Sequence, residues 1–175
     1  SKYDIDENKQ LRDIPMWEFL EKITFGELVK FYDFFIEEYN LNYLKDEIYI
    51  LSEIKKLRNA VAHNSNILTE LDVKNNFHDP SKYIIEFLEK SGIGKENKRN
   101  KLRNSRIRQI TYVLYMFNEV VTSDGVRESV TYKINDFFFN RVPKYKDYYK
   151  NNSLLKSIYY YFQKIIEANY KIAKK

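Results

Sequence analysis

Apolar residues recur along this chain every three to four positions, in segments separated by short polar clusters. That spacing is the mark of amphipathic helices. Pro15 sits at a first helical position and opens a short segment carrying Trp17, Phe19, Leu20 and Ile23. Thr24-Phe25-Gly26-Glu27 reads as a capping box, and Leu28, Phe31, Tyr32, Phe35 and Ile36 repeat behind it at helical spacing to about Tyr39. The next helix runs from about Tyr43 to His63 or Asn64, with Ile50, Ile54, Leu57 and Val61 on one apolar arc. Asn64-Ser65-Asn66 ends it with residues that favour left-handed caps and turns.

Asp79-Pro80-Ser81 marks another start, with Tyr83, Ile84, Phe87 and Leu88 following and Gly92 and Gly94 closing the segment. A long helix then carries Leu102, Ile110, Val113, Leu114, Phe117, Val120 and Val121. Ser123-Asp124-Gly125 stops it, and a further helix covers roughly Val126 to Arg141, ending before Pro143. After a loop rich in Tyr and Lys, the last helix starts at Ser153 and turns Leu155, Ile158, Phe162, Ile165 and Ile166 inward. In the run Tyr159-Tyr160-Tyr161 one ring is expected in the core and two at a surface or interface. The expected fold is all-α, with six or seven helices and no convincing strand.

Composition agrees. Four Gly and three Pro in 175 residues are too few for the many turns of a sandwich, barrel or doubly wound sheet. A hydrophobic share of 43% and a charged share of 31% are those of a globular protein, read as one domain over residues 1–175. No apolar run approaches the length of a membrane span, and the polar, acidic N-terminus holds no secretory signal, which points to the cytoplasm. With no cysteine there is no disulfide framework, thiol nucleophile or Cys-ligated metal. The two histidines, His63 and His78, lack the close spacing of a zinc site, so neither a metal nor a cofactor is expected. His78 beside Asp79 reads as a surface loop residue. There is no phosphate-cradling glycine loop and no carboxylate pair at acid/base spacing, which disfavours nucleotide-hydrolase and glycosidase functions.

Charge adds a second theme. The net value is +5, yet the stretch Lys95 to Arg108 alone carries +6, leaving −1 for the remainder. A dense basic segment in an otherwise neutral chain suggests an anionic partner. Lys98, Arg99, Lys101, Arg103, Arg106 and Arg108 are therefore candidate phosphate contacts. The plainer alternative is a solvated interhelical loop and helix start. Sixteen Tyr and twelve Phe could cap the core or serve as base-stacking platforms.

Leu57-Arg58-Asn59-Ala60-Val61-Ala62-His63-Asn64 is the segment that asks for chemistry. His63 is suited to moving protons at neutral pH, and Arg58 offers a fork-shaped positive charge matched to phosphate oxygens. Asn59, one turn before His63, can hold the ring or a phosphate, with Lys56 alongside. Arg58 lies about 140° from His63 around the helix axis, within reach of the same rim for a side chain of its length. These groups suit phosphodiester cleavage without a metal. A helix-end histidine capping carbonyls beside a solvated arginine is the plainer alternative.

The segment resembles the Arg-x(4–6)-His motif of HEPN domains, the helical RNase modules of toxins and of RNA-guided CRISPR RNases. Pro15-Met16-Trp17, Glu21, Phe25-Gly26-Glu27-Leu28, Leu57-Arg58-Asn59 and Ala62-His63, in that order, resemble the AbiD/AbiF-type abortive-infection proteins of bacteria. The likeness is specific from Pro15 to about Ile67 and beyond that is one of helical pattern. It departs in three places. Asn64 and Asn66 stand where family members often have a second His and an Arg, and Ser65 where adenylylation-silenced HEPN toxins have Tyr. Family members also usually carry a further region before the Trp motif, so the chain reads as the C-terminal part of a longer member.

The resemblance implies an HEPN-like helical fold with Arg58 and His63 as catalytic residues and Asn59 in support. It implies an endoribonuclease of an anti-phage abortive-infection or toxin–antitoxin system. Enzymes of this class build the site from two such helices across an interface, which implies a homodimer with a composite active site. RNA is the expected partner, contacted by Lys56, Asn64 and the basic segment, and a toxin–antitoxin setting adds an antitoxin of RNA or protein. No membrane partner is expected. The alternative class is a non-catalytic HEPN module that binds RNA or a protein.

Overall fold

The computed structural model describes residues 15–69, 71–74 and 79–171, and every regular element among them is helical. The fold is all-α, as the hydrophobic spacing predicts. His78 lies outside the described residues. The chain forms two compact units, Ser1–Ile48 and Tyr49–Lys175.

In the first unit, α1 spans Met16–Lys22 and α2 spans Phe25–Glu38. Pro15 is the residue before α1, one place earlier than its sequence position suggests. Thr24 and Glu27 form the expected capping box, each side chain bonded to the other's backbone N–H. α2 buries Val29 and Ile36, seven residues apart on one face, whereas Phe35, expected inward, is exposed. Phe35 instead joins a ladder of rings, 6.4 Å from Phe31 and 4.5 Å from Tyr39, at the four-residue spacing that stacks side chains along a helix. A 3₁₀ turn at Asn42–Leu44 leads into α3, Lys45–Ala62, inside which the division between the units falls.

The second unit holds the rest of α3 and then α4 (Lys82–Lys90), α5 (Lys95–Leu102) and α6 (Ser105–Val120). α7 (Asp124–Asn135) follows, continued by a π-helical stretch, Asp136–Arg141. Two short helices, α8 (Val142–Lys144) and α9 (Lys146–Tyr149), precede α10 (Ser153–Asn169). Its core packs Ile50, Ile84, Leu88, Leu102, Tyr112 and Ile165 together, with Phe162 and Ile166 from the inward face of α10. Tyr161 is buried with its hydroxyl 3.1 Å from Thr111 Oγ1, and Tyr160 is exposed. Tyr159, expected at a surface or interface, is instead half-buried, stacked on Phe138 with its hydroxyl donating to the Phe138 carbonyl at 2.9 Å.

Three details differ from the sequence pattern. The basic stretch does not open one long helix: it folds as α5, and Asn104 starts α6 afresh by accepting hydrogen bonds from the backbone N–H groups of Arg106 and Ile107, both at 3.0 Å. Pro143 does not end its helix. Widening to π geometry over Asp136–Arg141, with the Val142 N–H bonded to the Phe137 carbonyl, carries the helical path past a residue that would clash in a regular α-turn. Val61, Tyr83, Val113 and Val120, placed on apolar faces by periodicity, are exposed because each lies at the edge of its helix's buried arc or beyond the core.

Candidate active site

α3 ends where its side chains and backbone make it end. Asn64 adopts the left-handed conformation, φ 51°, which asparagine tolerates better than most residues. Its N–H bonds the Val61 carbonyl at 3.0 Å, and the Ser65 N–H bonds the Ala60 carbonyl at 2.8 Å. This paired closure is a Schellman motif, and it satisfies carbonyls the helix would otherwise leave open. Asn66 then turns the chain, its side chain accepting from the Leu68 N–H at 3.0 Å. The two asparagines that stand at His and Arg positions of the resembled family thus shape the turn after the motif.

His63 still belongs to the helical register, since its N–H bonds the Asn59 carbonyl at 3.0 Å. Arg58, Asn59 and His63 are all exposed. Arg58 Nη1 donates to Asn59 Oδ1 at 3.2 Å, so the Asn59 side chain orients the guanidinium and its backbone carbonyl holds the turn bearing the imidazole. Two residues of the motif are linked, and His63 projects one turn further along.

One turn and a half before Arg58, Glu53 is buried on the inward face of α3, 1% exposed. Arg108 of α6 donates to Glu53 Oε2 from Nε at 3.1 Å and from Nη2 at 2.9 Å, and its Nη1 donates to the Leu102 carbonyl at 2.9 Å. Lys56 is bonded to the other carboxylate oxygen. Burial pushes the Glu53 carboxyl upward, but the Lys56 hydrogen bond and the Arg108 charge outweigh it and hold the group below the usual carboxylate range. The expectation that Arg108 touches phosphate is therefore corrected: its guanidinium is enclosed and committed to Glu53. Lys98 is corrected on the same ground, being buried with its ammonium on Glu89. Lys56 keeps an exposed stem while its charge serves Glu53.

Of the other basic residues, Arg99 and Arg103 are exposed and Arg106 donates to Gln109 Oε1 at 2.9 Å. Lys101 is half-buried and donates to Ser157 Oγ at 2.7 Å. Burial and the nearby Lys74 charge lower its pKa. Tyr49 meets Tyr112 edge-on at 6.3 Å, and Glu53 meets Arg108, so α3 and α6 run antiparallel where they cross. The end of α3 bearing Arg58 and His63 is therefore directed toward the start of α6. Asn104 Nδ2 supports this by donating to the Val73 carbonyl, in the segment after the motif, at 2.9 Å. The motif and the Arg103–Arg106 junction lie toward one end of the helix pair.

Sequence spacing missed Glu53. Its signal was present: Ile50, Glu53, Ile54 and Leu57 stand at i, i+3, i+4 and i+7, which puts a carboxylate on the apolar face and demands a buried partner. Among the described residues there is no cluster of His, Cys, Asp and Glu fit to hold a metal ion. None of their helices is long and apolar enough to cross a membrane.

Comparison with curated proteins and with solved structures finds no match. Residues 1–69 match the family model described as Abi-like protein. That stretch holds the Trp17, Phe25-Gly26-Glu27 and Arg58-Asn59 positions and His63, and the family suggests abortive infection as the setting. Over residues 1–69, then, this chain resembles the Abi-type abortive-infection proteins.

Proposed function

We propose that this protein is a metal-independent endoribonuclease of an abortive-infection or toxin–antitoxin system, acting through Arg58, Asn59 and His63. The observation that carries this reading is their joint exposure at the end of α3, inside the stretch that matches Abi-like proteins. An acid–base cleavage needs two proton-transfer groups, and the motif supplies one imidazole per chain. A second copy supplies the other. Val61, Leu68 and Val73, close in sequence to His63 and exposed, are apolar surface that a second copy would cover.

In this mechanism a neutral His63 takes the proton from a ribose 2′-OH, and the 2′ oxygen attacks the adjacent phosphorus. The bond to the 5′ oxygen breaks, and the partner's imidazolium protonates that leaving oxygen. Arg58, steadied by Asn59, stabilises the negative charge that builds on the phosphorane-like transition state. Arg103 and Arg106 are the basic residues whose place toward the same end suits the flanking phosphates, with Arg99 and Asn64 at their margin.

The test is cleavage of single-stranded RNA by purified protein in EDTA. His63→Ala should lower the rate by at least the roughly hundredfold that general acid–base catalysis contributes, while leaving RNA binding intact. Binding with no cleavage by the unaltered chain would favour the non-catalytic HEPN module instead. An active species that stays monomeric at micromolar concentration would sink the composite site.

A further inference from the structure

Two cavities in the second unit lie away from Arg58 and His63 and share part of their lining. The larger, about 390 Å³, lies between α5 and α10 and is lined by Lys101, Lys156, Ser157, Tyr160 and Lys164, among others. The smaller, about 260 Å³, is lined by Lys146, Lys150 and Tyr159 and also by Lys156 and Tyr160. They adjoin at Lys156 and Tyr160, which line both, and together make up a groove. Among the described residues no carboxylate lines the larger cavity. The one acid in the smaller, Asp147, is 3.2 Å from Lys150 and so balanced within the groove.

The pattern along α10 is as telling as the charge. Lys156, Tyr160 and Lys164 stand at i, i+4 and i+8, so cation, ring and cation follow one another on one helix face, about 6 Å apart. Tyr160 is 59% exposed: its ring meets that of Tyr159 at 5.6 Å and 68°, and the remainder of it faces solvent. Lys101 enters from α5, fixed by its bond to Ser157, and its partial burial favours an anion that would compensate the charge. Alternating cations and open aromatic faces are what an extended single strand of nucleic acid needs: phosphates meet the ammonium groups and bases stack on rings.

We infer that the groove between α5, α9 and α10 binds single-stranded RNA, with phosphates on Lys101, Lys156 and Lys164 and a base stacked on Tyr160. This deepens the nuclease reading by giving the substrate a track, and it rests on that reading for the choice of RNA. It also shifts the principal anion contacts from the length of the Lys95–Arg108 segment to a surface most of which lies on α10.

The experiment is fluorescence anisotropy with a twelve-nucleotide oligouridylate, 2′-O-methylated throughout so that cleavage cannot consume it. The combined variant Lys101→Gln/Lys156→Gln/Lys164→Gln should bind about tenfold or more weakly, and the slope of log affinity against log salt should flatten by roughly 2. Tyr160→Ala should weaken binding roughly fivefold or more and Tyr160→Phe should restore it, since only the ring face is needed. A control with equal charge loss, Lys82→Gln/Lys90→Gln/Lys133→Gln, should change affinity far less. Equal losses in the control, or unchanged binding in both groove variants, would overturn the proposal. So would uptake of inorganic polyphosphate without oligouridylate. Should the combined variant misfold by circular dichroism, the exposed Tyr160 pair decides alone. The two readings can fail separately. Binding lost in the groove variants with no RNA cleavage in any buffer removes the nuclease and keeps the groove. Cleavage with unaltered binding in those variants does the reverse.

Discussion

Replacing Arg108 by Met keeps most of the side-chain stem and removes the guanidinium from its enclosure between α3 and α6. Arg108 is 5% exposed and Glu53 1%, so neither is offered water in exchange. Breaking a buried pair by deleting one partner costs about 3–5 kcal/mol, because the remaining charge is left uncompensated. Lys56 still reaches Glu53, which favours the lower end, while the Leu102 carbonyl loses its donor and adds about 1 kcal/mol. The sum is about 4 kcal/mol. At roughly 2–4 °C per kcal/mol for a chain of this size, the midpoint of thermal unfolding should fall by about 8–16 °C. Circular dichroism melts of the unaltered protein and of Arg108→Met measure this directly. The double variant Glu53→Leu/Arg108→Met removes both charges and should recover most of the loss, leaving Lys56 free in solvent. An Arg108→Met protein melting within about 2 °C of the unaltered chain, yet binding RNA more weakly with a flatter salt dependence, would refute this assignment and return Arg108 to the phosphate surface.

The same carboxylate makes stability depend on acid. Because Glu53 titrates below its ordinary range in the folded protein, its contribution is complete above about pH 5 and is lost as pH falls through the depressed value. Glu53→Gln should therefore flatten the stability profile below about pH 5 in denaturant titrations, and an unchanged profile would contradict it. Asn104→Ala should cost about 2 kcal/mol by removing both the start of α6 and the tie to Val73. Asn104→Asp should keep the first and lose the second, which hydrogen exchange at residues 71–74 would register. At Asn64, glycine should be tolerated within about 0.5 kcal/mol and valine should cost about 1–2 kcal/mol, because φ is positive there. Equal melting of the two variants would refute the helix-end account.

How far the sequence reveals this protein depends on which physical feature is asked about. Helix starts were legible where a side chain caps its own helix, as at Thr24-Glu27 and Ser81, because the signal is local. The end of α3 was legible in Asn64 for the same reason. Periodicity failed where burial depends on what lies opposite: Val61 and Val113 sit at apolar spacing but meet solvent. Charge density failed similarly. Lys98 and Arg108 sit in a basic run that reads as one surface, but distant carboxylates, Glu89 and Glu53, claim them. A linear count of charge cannot show which cations already have partners. Conversely, Lys101 comes together with Lys156 and Lys164 only because α5 packs beside α10, 55 or more residues on, so no run of sequence announces the groove. The shared exposure of Arg58, Asn59 and His63 was within reach of the sequence because all three fall within six residues at the end of α3.

The chemistry of the cut ends tests the nuclease reading most directly. A defined single-stranded RNA should be incubated with the protein in EDTA and its fragments examined by mass spectrometry. Attack by the ribose 2′-OH under His63 control predicts a 2′,3′-cyclic phosphate on one fragment and a 5′-hydroxyl on the other, with no cut where that ribose is 2′-O-methylated. Arg58→Lys should fail as well, since an ammonium keeps the charge but loses the fork. Fragments ending in 5′-phosphate and 3′-hydroxyl, cleavage of DNA, or a strict need for magnesium would contradict the account.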